Sequence, residues 1–207
     1  MIWTPPPMRQ RRPSISERGW IMSPYRYAAA ATDPYFANVV LLLHGEGANG
    51  STTFTDHSSF GKTVTVTGST SVSTAEYKYG GSSIKGAANS RLSCALGTDG
   101  SMTGDFTIEL FALEGSSKVI FAGPSGTGYL YNGAFQDYGG PSLSISTAQS
   151  SGVWNHYAIS RTGSTIYAFK NGVLADSNTY SGTVNLQTVF LGYYPPNNNL
   201  HFTGYYD

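Results

Sequence analysis

The chain of 207 residues has a single cysteine, Cys94, so no disulfide can form within it. Its stability has to come from packing, helped by partners or a metal where present. In the strand-like stretch "RLSCAL" a lone Cys reads as a small buried apolar residue. Charge is also scarce. Asp, Glu, Lys and Arg make up 12% of the residues, about half the usual share. Lys plus Arg equals Asp plus Glu, which argues against a general binder of nucleic acid or of membrane surfaces. No apolar run approaches the roughly 18 residues of a membrane span. The N-terminus lacks the continuous apolar segment of a secretion signal. A convincing amphipathic helix is missing too, since "AAAA" at 28–31 is short and uncapped, and there is no repeat of 20–50 residues.

What is abundant points to β structure. Gly, Ser, Thr, Val, Tyr and Phe dominate, the residues of strands and tight turns. "VVLLLH" (39–44) reads as a short, fully apolar strand. "KTVTVTG" (62–68) alternates, and "DFTIELFAL" (105–113) puts Phe106, Ile108 and Leu110 on one face. "KVIFAG", "GYLYNG" and "SLSISTA" follow at the spacing of an antiparallel meander. In "WNHYAISRTGSTIYAFKNGV" (154–173), Trp154, His156, Ala158 and Ser160 point one way, and Asn155, Tyr157, Ile159 and Arg161 the other. A glycine turn and then Asn171-Gly172, the strongest short hairpin signal, make this stretch three consecutive antiparallel strands. Many short strands with turns about every ten residues predict an all-β, two-sheet antiparallel sandwich.

Residues 1–33 differ. Five of the twelve basic residues, Arg9, Arg11, Arg12, Arg18 and Arg26, lie in the first 26 positions against Glu17 alone. Four prolines between positions 4 and 20 favour an extended arm rather than a helix. Such a segment has no core of its own. It is expected to order along another subunit, with Trp3, Trp20 and Tyr25 as apolar anchors and Arg9, Arg11, Arg12 and Arg18 as polar ones; packing back onto its own domain is the alternative. Residues 34–207 would form the sandwich.

From residue 35 onward the wording of the sequence resembles laminin-G-like, concanavalin A-like jelly rolls. The stretches that carry the likeness are "VVLLLHGEGANGSTTFTDHSS", "SRLSCALGTDGSMTGDFTIELFAL", "WNHYAISRTGSTIYAFKNGV" and "FTGYYD", in that order. The form with "LLLH…GSTTFTD" is similar to that of bacteriophage structural and tail proteins. The resemblance implies a jelly-roll sandwich used for recognition or assembly. It would be a virion component docked on other virion proteins through the arm, a homo-oligomer, and a display of its sandwich for stabilisation or adhesion to a host glycan. A carbohydrate-binding module is the competing class. Some relatives hold a structural calcium, and Asp56 and Asp207 match their acidic positions; ordinary turn-capping Asp residues are the alternative. The relatives continue past "GYYD", so the closing strand here reads as truncated, with an edge left exposed or completed by a neighbour.

Sugars stack on aromatic faces, and "LGYYPPNNNLHFTGYYD" offers Tyr193, Tyr194, His201, Tyr205 and Tyr206. Core or interface packing is the competing role for such rings. A hydrolase reading finds no support. Asp105 and Glu109 sit four residues apart, roughly 13 Å along a strand, and Glu114 falls on the opposite face, so no paired carboxylates flank a bond. His44, His57, His156 and His201 lack metal-ligand spacing. "HGEGANG" lacks the Lys-Ser/Thr and following helix of a phosphate loop.

Overall fold

The structure is a computed structural model, and it describes residues 33–115, 119–131, 133–137, 140–145, 152–196 and 201–207. Two seven-stranded antiparallel sheets face each other across one core. The first sheet runs β1 (Val64–Thr67), β4 (Arg91–Ala95), β15 (Thr188–Leu191), β7 (Val119–Ala122), β8 (Tyr129–Tyr131), β9 (Ala134–Gln136) and β10 (Ser142–Ser144). The second runs β13 (Val173–Thr179), β12 (Thr165–Lys170), β11 (Trp154–Thr162), β6 (Phe106–Glu114), β16 (Gly204–Tyr206), β3 (Ser83–Gly86) and β2 (Ser71–Ser73). A small pair joins β5 (Ser101–Met102) to β14 (Val184–Asn185).

Alternation builds the core as the sequence predicts. Along β11 every second residue is buried, with Tyr157, Ile159 and Arg161 inside. Asn171 and Gly172 take φ of 51° and 77° between β12 and β13, the left-handed pair of a two-residue hairpin turn. Phe106, Ile108 and Leu110 of β6 pack together against the core formed by Ile120, Phe121, Leu130, Phe135, Ile159 and Ile166. Cys94 is buried among them, as expected.

Arg161 is a charged member of this interior, 2% exposed. Its guanidinium donates to the carbonyls of Gly104, Met102 and Gly182 and lies 5.3 Å from the Phe106 ring centroid. One side chain therefore ties two connecting loops to the second sheet, with backbone dipoles rather than a carboxylate meeting its charge.

Two expectations need correction. "VVLLLH" forms no strand. Its backbone instead meets the Asp56 loop: the Leu42 amide donates to the Asp56 carboxylate, the His57 amide to the Leu42 carbonyl and the Ser58 hydroxyl to the Val40 carbonyl. A side-chain acceptor thus takes the place of a neighbouring strand. The segment then crosses β3 at Gly45, φ 65°, where an added Cβ would stand 2.8 Å from the Ile84 nitrogen; only glycine fits. Second, the closing strand is not an edge. β16 pairs with β6 on one side and β3 on the other, and Asp207 continues the ladder by exchanging backbone hydrogen bonds with Phe111.

Candidate functional site

In a sandwich the outer face of each sheet ordinarily carries polar side chains. The second sheet departs from this. Tyr205 on β16 stands opposite Leu113 on β6, and Leu113 opposite Trp154 on β11, forming one row across three strands. The next row pairs Phe111 with His156, whose ring centroids are 4.7 Å apart. Tyr79 meets Phe111 edge-on at 5.3 Å, and Lys78 Nζ lies 5.6 Å from the Phe111 ring. One row further, Glu109 faces Ala158, which faces Phe169. Glu109 is 65% exposed and reaches His156 Nε2 at 3.5 Å. Tyr79 is itself about half exposed, at 52%. The result is a band of aromatic rings bordered by Glu109, Lys78 and Lys85, the last opposite Tyr205.

The five tyrosine and histidine residues expected to meet a sugar separate in space. Tyr205 joins the band just described. Tyr206 points the other way, 4% exposed, donating its hydroxyl to the Ile120 carbonyl and packing on Phe202 at 4.4 Å. Burial pushes its hydroxyl well above the ordinary tyrosine range. It is a core residue, because neighbours on a strand must face opposite sides. Tyr193, Tyr194 and His201 lie with the first sheet. Tyr193 bridges to His201, the rings 5.7 Å apart, and its ring lies 5.6 Å from Phe190. Tyr194 packs on Tyr129 at 4.8 Å.

Trp154 and His156, by contrast, belong to the aromatic outer face, while Tyr157 and Arg161 on the same strand face the core. The contribution of Tyr79 was not read from the sequence. It comes from a loop before β3, and no local pattern announces it. The arm residues Trp3, Arg9, Arg11, Arg12, Arg18, Trp20 and Tyr25 lie outside the described residues.

Asp56 and Asp207, the residues matched to calcium, both accept hydrogen bonds from the protein itself. Both Asp56 oxygens accept hydrogen bonds, from the Leu42, Ser58 and Lys62 amides and the Ser58 hydroxyl, at 2.7–2.9 Å. Burial alone would raise this carboxyl, but those donors outweigh it and hold it below the usual carboxylate range. Asp207 accepts the Lys78 and Tyr79 amides, each at 2.8 Å. Its burial wins over those two bonds and raises it. Donors occupy both oxygens of Asp56, whereas on Asp207 the two amides share Oδ2. His44 and His57 come together, rings 5.2 Å apart. Burial first, and then His57, holds His44 below the ordinary histidine range. Yet among the described residues no group of three or more His, Cys, Asp or Glu could hold a metal.

The carboxylates tested for hydrolysis are likewise dispersed. Asp105 accepts the Gly163 amide, Glu109 faces His156 outside, and Glu114 is buried and accepts the Tyr157 hydroxyl. Burial, and then Glu114, pushes that hydroxyl far above its ordinary range.

No protein-family model matches the chain, and no curated protein matches it. Solved structures do. A structure of the HCR/D W1238A mutant superimposes with a TM-score of 0.55 over 82% of this chain and 48% of that one, at 14% identity. The binding domain of botulinum neurotoxin DC in complex with SialylT gives a TM-score of 0.54 over 80% of this chain and 46% of that one, at 11% identity. Domain 4 of AbnA, a GH43 extracellular arabinanase from Geobacillus stearothermophilus, in complex with arabinotriose, gives 0.49 over 73% and 82%, at 17% identity. The fold is a jelly-roll-type β-sandwich. This chain spans about half the length of the first two structures. No helix among the described residues is long and apolar enough to cross a membrane.

Proposed function

We propose that this protein is a non-enzymatic carbohydrate-binding module whose ligand stacks on the outer face of the second sheet. One observation carries the reading: Tyr205, Leu113, Trp154, Phe111, His156 and Tyr79 form an aromatic band where a solvated sheet face would be polar. A large apolar patch edged with charge marks a recognition surface. Rings are suited to the apolar faces of sugars, and Glu109, Lys78 and Lys85 along the edge can take hydroxyl groups. The likeness to a toxin domain named a binding domain accords with it. So does the scattering of Asp105, Glu109 and Glu114, which leaves no carboxylate pair to flank a bond.

The arm of residues 1–33 would, on this reading, tether the module to a larger assembly such as a phage virion. Its Arg and Trp content suits docking along another subunit, and the virion is what the sequence resemblance implies. A chain starting at residue 34 should then bind glycan as the full chain does and fail to incorporate into particles.

The test is a panel of cell-surface and storage polysaccharides screened by affinity electrophoresis and followed by calorimetry. At least one should bind, and Trp154→Ala or Phe111→Ala should weaken it tenfold or more, about 1.4 kcal/mol, with the melting temperature little changed. Silence across the panel, or full affinity in both variants, would remove the reading.

A further inference from the structure

The outer face of the first sheet carries a different chemistry. Along β4 the buried residues are Leu92 and Cys94, so Arg91 and Ser93 project outward, and Phe190 stands opposite Ser93 on β15. Arg91 Cζ lies 4.4 Å from the centroid of the Tyr193 ring. The rings of Phe190 and His201 lie 5.6 Å and 5.7 Å from that same ring. Tyr193 is therefore the centre of a cluster in which one ring meets a guanidinium and two further rings.

The charge on Arg91 is the informative part. Among the described residues the two ion pairs lie elsewhere, Lys62 with Asp99 and His156 with Glu109. No carboxylate of a described residue is within ion-pair distance of Arg91, and its guanidinium makes no hydrogen bond to a described residue. Arg161, the buried counterpart, shows what a satisfied guanidinium looks like in this fold, with three carbonyls around it. Stacking on Tyr193 engages the Arg91 guanidinium through its face, and its N–H donors meet no described acceptor. A guanidinium fork of that kind matches a carboxylate through two parallel hydrogen bonds, and the rings of Tyr193 and Phe190 supply the apolar surface beside it.

We propose that Arg91 and Tyr193 form a subsite for a carboxylated sugar, a uronic-acid unit within a polysaccharide. This site is separate from the aromatic band on the second sheet. The inference rests on the carbohydrate-binding reading and adds a ligand class to it: an acidic glycan in preference to a neutral one. The carboxylate pairs with the guanidinium and the sugar ring lies along Tyr193, with salt screening the charge term.

The experiment uses the full chain and calorimetry at about 0.15 M salt. The probes are hexasaccharides of polygalacturonate, alginate and hyaluronan, each against its carboxyl-reduced counterpart. One acidic probe should bind at least tenfold tighter than its reduced form. Arg91→Gln should abolish that preference. Arg91→Lys, which keeps charge but loses the fork, should retain a part of it, and Tyr193→Ala should weaken both forms. Trp154→Ala should leave the preference for acid intact, and an unchanged melting temperature for Arg91→Gln confirms the fold. Equal affinity for acidic and reduced probes, or an unchanged preference in Arg91→Gln, overturns the subsite while leaving the module reading standing. The same holds if only neutral polysaccharides bind. Absence of binding to every polysaccharide, acidic or neutral, overturns both.

Discussion

The two faces of β11 separate the tasks of this molecule along a single strand. Facing inward, Tyr157, Ile159 and Arg161 are each 2% exposed or less, and the two polar ones have partners: Tyr157 bonds Glu114, and Arg161 holds the carbonyls of Met102, Gly104 and Gly182. Facing outward, Trp154 and His156 are half-buried and contribute rings to a surface that no described element covers. The inner set is saturated with contacts and closes the sandwich. The outer set is large, apolar and unfinished. A change on one face should therefore move stability and leave recognition alone, and a change on the other should do the reverse.

The largest effect expected is on the inner face. Arg161→Met keeps much of the volume but leaves the Gly104, Met102 and Gly182 carbonyls without their donor in a buried setting. A loss of roughly 4 kcal/mol follows, by analogy with breaking buried charged networks. For a domain of this size that corresponds to a fall in melting temperature of about 8–16 °C. Glycan affinity measured well below the transition should be unchanged. A melting temperature within about 2 °C of the parent would mean that the loops at 102–104 and 182 are pinned by something other than this side chain.

Much of this division could be read in the sequence, because it depends on period two. "WNHYAISR" sorts its residues onto two faces by alternation alone, and Asn171-Gly172 fixes the hairpin that follows. The same rule could have separated Tyr205 from Tyr206, since adjacent strand residues cannot share a face. What alternation cannot supply is which face looks inward and which sheet a strand joins. Tyr193 and Tyr205 lie twelve residues apart, yet β15 sits in the first sheet and β16 in the second. That assignment depends on pairing with β4 and β3, distant in the chain. "VVLLLH" misled for a related reason. Its apolar run reads as a strand, but a carboxylate fourteen residues away accepts the Leu42 amide that a ladder would have used.

Asp56 supplies the next prediction, smaller than that for Arg161 because a connecting segment rather than the sheets depends on it. Asp56→Asn leaves one or more of the Leu42, Ser58 and Lys62 amides facing a group that accepts less well, at a cost of about 2–3 kcal/mol. The pH dependence has a definite sign. The folded carboxyl lies below its ordinary value, so its contribution is complete above the unfolded value near pH 4 and is lost as pH falls through the lower folded value. Urea titrations between about pH 6 and pH 3 should show the parent losing stability faster than Asp56→Asn. Parallel curves for the two proteins would show that Asp56 stabilises through shape and not through charge.

The smallest effect belongs to the outer face, and it is the most discriminating. Glu109 is well exposed and meets His156 at 3.5 Å, a geometry that contributes only about 0–1 kcal/mol. Glu109→Gln should therefore leave the urea midpoint almost unmoved. If the outer face were merely a packed surface, nothing else would change. If it receives a ligand, Glu109 is an exposed acceptor beside the Phe111–His156 ring pair, and the amide replaces an acceptor-only carboxylate with a group that both donates and accepts. Neutral glycan affinity should fall by a few-fold. An acidic glycan approaching the same edge should lose less, or gain, because a like charge has been removed. A variant with unaltered stability and unaltered binding to both would place the recognition surface away from this row of the sheet. The contrast between the two faces of β11 would then be one of packing alone.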